Sequence, residues 1–444
     1  MRVSTLTPAT IAQLDRLGAW ARLSPAAAPF DAMAVWDGAG TGAVHYNAAD
    51  GRGGGGGGGG GVGGALGSVA RGLAATAAAA LGLPRPPPAP FAAPPPPLNP
   101  ATAWLGAVAE NEAVSAALLA ALRASPAPPE EAWACGGLAA LTLPPYTRGP
   151  GAGATSPLAV LTLGDGPTAR TLAARLVVGA DGAGSAARRA AGLRVVEKSY
   201  GASAVVGTVS YAPGTPPASR RTAFQVFLSG GPLALLPLRG GHASVVWTLP
   251  PGEAAGLVAK GRASPAAFAA AVDGALRRGE AGPAGTWPGR ATAPAPPHVV
   301  PPAGGGGAPP APGAFPLRLR LAPRWVRPRF ALLGDAAHAV HPLAGQGVNL
   351  GFGDAASLGE ALARAVAAGG DVGATAPTLG AHYQGTRRPA TATWVAALDG
   401  LATAFSGSPA SQTGIAAALR GAGLRVVSAV GPARAAIVRF ASGV

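Results

Sequence analysis

Three observations predict a mixed α/β fold. Two segments, LVVGADGAGSAARRAAG and RFALLGDAAHAVHPLAGQGVNLGFGDAASLGEALARAV, each run from an apolar strand through a tight loop into a helix. Between them SAVVGTVSY, FQVFL, LALLPL and ASVVWTL alternate with Gly and Pro, the pattern of an antiparallel sheet. Residues 373–444 then read mostly as helix, with Arg420, Arg425, Arg434 and Arg439 spread along them.

The elements follow in order. Residues 4–23 open with a cap-like Ser/Thr stretch; Pro8 suits a first helical turn, and Ile11, Leu14, Leu17 and Trp20 recur at helical spacing. PFDAMAVWD predicts a strand. From Gly51 to Pro97 periodicity is lost: Gly53 to Gly61 is an unbroken glycine run, and Pro84 to Pro97 is mostly proline and alanine, so this stretch reads as a flexible insertion. Order returns with TAWLGAVAENEAVSAALLAALRA, where Val114, Leu118, Leu119 and Leu122 form a helical stripe. SPLAVLTLGDG and TLAARLVVGADG predict strands, residues 264–278 a helix, and residues 282–314 a second Pro/Gly-rich insertion.

Composition excludes several classes. Of 444 residues, 69 are glycine and 47 proline, yet 48% are hydrophobic, ample for a large core, so wholesale disorder is excluded. One cysteine, Cys135, rules out a disulfide framework or a cysteine-built metal site and reads as a small hydrophobe. The net charge of +15 is almost entirely arginine, since Lys198 and Lys260 are the only lysines. Arg, Ala, Gly and Pro are all in excess, as GC-rich codons dictate, and the arginines do not cluster with aromatics, so no nucleic-acid partner is read. No segment reaches the ~20 apolar residues of a membrane span, and MRVSTLTPATIAQL lacks the features of a signal or transit peptide.

The chemistry lies in the two strand–loop–helix segments. In the first, Leu176–Val178 form the strand, Asp181 and Gly182 the turn, and Ser185 and Arg188 open the helix. Glycines let backbone approach a ligand, and a helix N-terminus beside an arginine favours a phosphate. In the second, Gly334, Asp335 and Ala336 end a strand, where a carboxylate accepts from ribose hydroxyls. Pro342, Gly345, Gln346 and Gly347 form a loop ahead of a helix beginning near Val348 and Asn349; its free amides stabilise negative charge on a phosphate or a reduced ring system.

Taken together, DG-x-x-S-x-x-R and the GD motif resemble the two downstream fingerprints of the aromatic-ring flavoprotein monooxygenases. The longer wording GDAAHAVHPLAGQGVNLGFGDAASL is similar to the UbiH-type ubiquinone-biosynthesis hydroxylases, their mitochondrial eukaryotic branch in particular. RVSTLTPATIAQLDRLGAW, FDAMAVWD, AENEAVSAALLAAL and FQVFLSGGPLALLPL support it. The resemblance implies a para-hydroxybenzoate-hydroxylase-like fold: a Rossmann-like FAD-binding α/β domain, an inserted antiparallel-sheet substrate domain and C-terminal helices. The implied organisation is 1–50, the start of both domains; 51–100, insertion; 101–192, FAD domain; 193–281, substrate domain; 282–314, insertion; 315–372, FAD domain with the GD motif; and 373–444, C-terminal helices.

It also implies roles. Asp335 would hold the ribityl or ribose region of FAD, and the Pro342–Gly347 loop would press on the isoalloxazine and stabilise its reduced form. Asp181, Gly182 and Arg188 would organise the pyrophosphate side, while Arg2 and Asn111 would reach the cofactor, the alternative for Asn111 being a helix-surface asparagine. Phe224, Gln225, Phe227 and Leu235 would cover the ring and line a route for a polyprenyl tail. The implied reaction uses O2 to hydroxylate a polyprenyl-hydroxybenzoate, with electrons from a ferredoxin and its reductase or from NAD(P)H, in a biosynthetic complex touching the matrix side of the mitochondrial inner membrane. Family members open with a GxGxxG βαβ unit. Here the first family segment starts at Arg2, and the glycine run at 53–61, with no strand before it, is not that loop. The sequence is therefore expected to be a shortened reading of a longer gene; the alternative is a scaffold that keeps the fold without the flavin. Asp335, His338 and His341 have D-x-x-H-x-x-H spacing, but Pro342 ends the segment at once, so no metal site is read and the histidines are expected to orient the loop or fill core.

Overall fold

The computed structural model describes residues 2–38, 43–47, 104–126, 137–145, 157–281, 294–302, 310–341 and 345–404. The glycine- and proline-rich tract, Cys135, Pro342 and the terminal arginines lie outside the described residues.

The chain enters on β1 (Val3–Leu6), and Thr7 caps α1 (Pro8–Arg16) by accepting from the Thr10 amide. The spacing predicts helix through this stretch and on to Trp20. Ser4 and Thr5, read as a cap-like stretch, are strand instead, and Pro8 takes the first helical turn as expected. Gly18, at φ 68°, then ends the helix and leaves Leu17 58% exposed. Next come β2 (Ala32–Asp37) and β3 (Gly106–Glu110), which pairs antiparallel with β1 and runs straight into α2 (Asn111–Arg123). The buried residues of α2 are Val114, Ala117 and Ala121, and Leu118 packs against the same core, while Leu122 is 42% exposed, so the predicted stripe is buried only in part. Small side chains on the inner face let the helix sit close to its neighbours.

Strand β4 (Val177–Gly179) leads to the short helix α3 (Ala186–Ala190). The remaining chain forms β5 (Val196–Tyr211), β6 (Thr222–Leu228), β7 (Gly231–Pro237), β8 (His242–Leu249), α4 (Pro251–Ala263), α5 (Pro265–Ala281), β9 (Gly313–Leu321), β10 (Phe330–Leu332), α6 (Gly347–Ala367) and α7 (Gly385–Ala404). A π-helical stretch, Thr375–Gln384, precedes α7.

A nine-stranded sheet carries the order His338–Ala339, β9, β5, β8, β7, β6, β2, Ala43–Asn47, with Val299–Val300 also paired to β5. Its pairings are antiparallel as predicted, with one exception: β2 runs parallel to β6, Ala32 opposite Thr222 through Asp37 opposite Phe227. The long chain between them supplies the crossover that parallel neighbours need. Val299–Val300 falls inside the predicted second insertion. There Val299 is buried and donates its amide to Asp273 on α5, so part of 282–314 is integral to the sheet.

Strand alternation gives this sheet two faces. Val205, Leu233, Leu235, Val245 and Trp247 pack beneath α4 and α5 as the main core. On the opposite face Gln225, Ala234, Val246 and Val206 align in register across four strands. In a smaller three-stranded sheet, β4 and β10 are parallel neighbours, with Gly179 opposite Leu332. That register ends both strands at one level, and the Asp181 and Asp335 turns therefore emerge side by side.

Candidate functional site

After β10, Gly334 takes φ 59°, a conformation in which glycine carries no steric penalty, and the turn aims Asp335 into a cavity of about 970 Å³. The Asp335 carboxylate is open to the cavity but enclosed by protein. That enclosure pushes its carboxyl above the usual carboxylate range, with His338 and Arg2 pulling the other way.

The Asp181 turn is built differently. Asp181 accepts from the Ser185 hydroxyl and, at 3.0 Å, from the Ala187 amide, so its carboxylate caps α3. Burial pushes the Asp181 carboxyl up, and these hydrogen bonds outweigh it and hold the carboxyl low. Arg188 is buried and donates to Ala183 O at 3.0 Å and Ala336 O at 2.7 Å. One guanidinium thus clamps the two turns together. Within the Asp181 turn, Gly182 bends the chain at φ 80°.

Helix α6 closes the cavity from the other side. Gln346, its N-cap residue, makes no side-chain cap bond, so the first amides of this 21-residue helix lack intrahelical acceptors where Gly345, Gly347 and Val348 line the cavity. Gly345 sits at φ 63°, and a Cβ there would lie 2.8 Å from the Thr5 hydroxyl, so only glycine fits. Asn349 faces away: its Nδ2 donates to Thr5 O at 2.8 Å, and its Oδ1 accepts from the Thr7 amide at 3.1 Å and the Thr10 hydroxyl at 2.8 Å. It therefore pins α6 to the β1–α1 junction. Asn111 accepts from Ser4 at 2.7 Å and lines the cavity, as does Arg2, whose guanidinium lies over the Phe315 ring.

The sheet face supplies the apolar wall. Gln225 lines it, with Ala234, Leu236 and Val246. Leu235 and Phe224 do not: they lie opposite each other in register, each flanked by residues of the cavity face, and both point into the α4–α5 core, Phe224 against Trp36. Phe227 packs instead against Leu398, Val340 and Trp394. Ala336 is buried behind the turn. Of the D-x-x-H-x-x-H set, His338 turns to Asp354 and His341 to Tyr200, and among the described residues no three potential metal ligands gather.

Spacing alone had no means of finding the surroundings of His341. It lines the cavity, its ring lies edge-on to Tyr200 at 4.9 Å, and the Tyr200 hydroxyl donates to Asp399, which Lys198 pairs at 2.8 Å. Burial drives the His341 imidazole down to about 4, against the opposing pull of Asp399. The unfolded chain binds this proton near 6.5 and the folded chain resists it to about 4, so acid favours unfolding within that window. The His341 share of stability should fall by about 2 kcal/mol between pH 7 and pH 4.5. Urea unfolding at both pH values should show that loss in the wild type and a loss smaller by this amount in His341→Gln. Equal losses in the two proteins would mean the imidazole is not enclosed.

Comparison with known proteins agrees with this geometry. Residues 311–397 match the FAD binding domain family. Over 299 residues the chain is 38% identical to the mitochondrial ubiquinone biosynthesis monooxygenase COQ6 of Rattus norvegicus, covering 65% of this chain and 60% of that one. It is 37% identical over 284 residues to the ubiquinone hydroxylase UbiL of Rhodospirillum rubrum, covering 64% and 57%. The chain thus spans about three fifths of the length of the curated relatives it matches. In fold it is similar to the p-nitrophenol 4-monooxygenase PnpA of Pseudomonas putida, with a TM-score of 0.63 at 18% identity over 99% of this chain and 88% of that one. The Asp335 turn and the start of α6 thus lie within the stretch that matches the FAD binding domain family, in a chain similar to ubiquinone-biosynthesis monooxygenases.

Proposed function

We propose that this chain is the FAD- and substrate-holding part of a monooxygenase that hydroxylates the aromatic ring of a polyprenyl-hydroxybenzoate intermediate in ubiquinone biosynthesis. The observation that carries this reading is a cavity of about 970 Å³ with one polar wall and one apolar wall. FAD suits the polar wall. The open Asp335 carboxylate can accept from ribityl or ribose hydroxyls, and Gly345 and Gly347 leave bare backbone against a flat ring. The head of α6 supplies positive potential where a reduced ring carries negative charge. Bound there, FAD supplies electron storage and activation of O2.

The chain's own residues do the positioning. Gln225 faces the substrate ring and is the one polar side chain in the row that continues through Ala234, Val246 and Val206. Its amide orients a phenol hydroxyl, and the apolar remainder of the row accepts the tail and keeps out water. Asp181 and Arg188 serve the pyrophosphate side by fixing Ala183 between the two turns. Electrons come from a ferredoxin system or NAD(P)H. The relatives' mitochondrial naming supports a place at the matrix face of the inner membrane within a biosynthetic complex. The contact is peripheral, and among the described residues no helix is long and apolar enough to cross a membrane.

The test is the visible absorption spectrum of the chain after incubation with FAD and desalting. A retained flavin spectrum is expected, followed by hydroxylation of a short-tailed hydroxybenzoate when a reductant is supplied. A colourless protein would overturn the enzyme reading for this chain in favour of a scaffold.

A further inference from the structure

We infer that Asp354, gripped between His338 and Arg387, is a positioning residue that holds the Gly334–Asp335 turn against the cavity, making α7 part of the site's support. Asp354 and His338 are both fully buried. One carboxylate oxygen of Asp354 accepts from the Gly334 amide at 3.1 Å and lies 2.5 Å from His338 Nε2. The other accepts from Arg387 Nε at 2.9 Å, while Arg387 Nη2 donates to Leu350 O at 3.2 Å. A single side chain of α6 thus reaches the turn, the following strand and α7 at once.

The packing around it is shaped to let this happen. A Cβ on Gly353 would sit 2.7 Å from an Arg387 nitrogen, so glycine clears the path of the guanidinium. Gly334 and Gly351 meet backbone to backbone, which brings α6 within reach of the turn. The Trp325 ring lies 5.1 Å from that of His338. From the π-helical stretch the Tyr383 hydroxyl donates to Leu332 O at 2.6 Å, and Gln384 Oε1 accepts from the Trp325 amide at 2.7 Å. The strand entering the turn and the turn itself are therefore fixed from the same direction. Burial alone would push the Asp354 carboxyl up; His338 and Arg387 outweigh it and keep the carboxyl low.

A buried ion pair by itself is weak evidence of stabilisation, and apolar residues of similar volume often serve as well. What an apolar residue cannot do is accept the Gly334 amide, an otherwise buried donor at a left-handed position. Asp335 takes no part in this anchoring, and its carboxylate stays available to the cavity.

The test is hydrogen–deuterium exchange on the whole chain, with FAD affinity read by flavin fluorescence; only the affinity arm rests on the flavin reading. In Asp354→Asn an NH2 replaces one acceptor oxygen and must face a donor. Exchange in peptides covering 333–338 should then rise about tenfold, with β6–β8 unchanged, and the FAD dissociation constant should rise about tenfold as well. Arg387→Gln should give a smaller rise in the same peptides, and His338→Gln, which keeps a donor toward Asp354, should stay near wild type. A uniform rise across the chain, no local rise, or a local rise with unchanged FAD affinity would overturn the inference. If Asp354→Asn does not fold, the Arg387 and His338 variants decide by the same pattern. If the wild type binds no FAD, the proposed function fails, while the exchange pattern still decides the positioning role.

Discussion

Asp335→Ala is expected to weaken FAD binding about a hundredfold, while His338→Ala weakens it only several-fold. Hydrogen bonds to a charged group contribute about 1.5–3 kcal/mol, and the upper half of that range is one and a half to two decades in affinity. Asp335 is the side chain whose acceptors face the cavity, whereas the His338 ring is buried behind the turn and acts through Asp354. Asp335→Asn separates shape from charge, since it keeps one acceptor oxygen and loses the other. The wild type carries a second signature. Enclosure raises the Asp335 carboxyl above the usual carboxylate range, so FAD affinity should fall as pH drops through that raised value, where a protonated acid replaces an acceptor by a donor. Fluorescence titrations from neutral to mildly acidic pH should show the fall in the wild type and its absence in Asp335→Asn. Equal losses from Asp335→Ala and His338→Ala, or bound metal in the purified protein, would contradict this assignment.

The parts of this site that were legible in the sequence are those whose cause is local. Gly334–Asp335 follows an apolar run, and Gly345 and Gly347 precede a long helical period, so turn, loop and helix start are all written within one segment. The strands β5–β8 were legible for the same reason. Partners distant in sequence were not. Asp354 reads as a helix residue and Arg387 as one arginine among many, and their meeting depends on Gly353 leaving space between two helices. Asn349 looks like a ligand-facing amide beside a loop, yet its hydrogen bonds run to Thr5, Thr7 and Thr10 at the far end of the chain. In α2 a hydrophobic scale selects the leucines, whereas the tightly packed face uses Ala117 and Ala121, which only tertiary packing reveals. The parallel pairing of β2 with β6 was hidden likewise, because alternation predicts a strand but not the direction of its neighbour.

Arg329→Met is expected to produce the largest loss of stability, about 3 kcal/mol, because it leaves several acceptors without their donor. Arg329 is 4% exposed and is a non-glycine residue at φ 63°. Its guanidinium pairs with Asp371 and donates to Arg175 O at 3.2 Å and Pro157 O at 3.3 Å. Its backbone links the same segments: its amide donates to Gly373 O, and its carbonyl accepts from the Val177 amide, both at 2.9 Å. The fit is tight, for a Cβ on Gly373 would lie 2.5 Å from the Arg329 side chain and 2.3 Å from Arg175 O. A left-handed conformation costs an L-residue roughly 1–2 kcal/mol, and the converging acceptors offset that cost here. Two further variants separate the contributions. Arg329→Gly relieves the backbone and should be less destabilised than Arg329→Met by about 1 kcal/mol. Arg329→Lys keeps the charge beside Asp371 but cannot fork to the carbonyls, and should fall between wild type and Met. Urea unfolding of the three variants gives the ranking directly. Because Val177 opens β4 and Arg329 immediately precedes β10, the same substitutions should also loosen the parallel pair that carries the Asp181 and Asp335 turns. A stability loss that leaves exchange in 177–182 and 330–336 unchanged would show that the guanidinium only ties down the segment around Asp371 and does not brace the site.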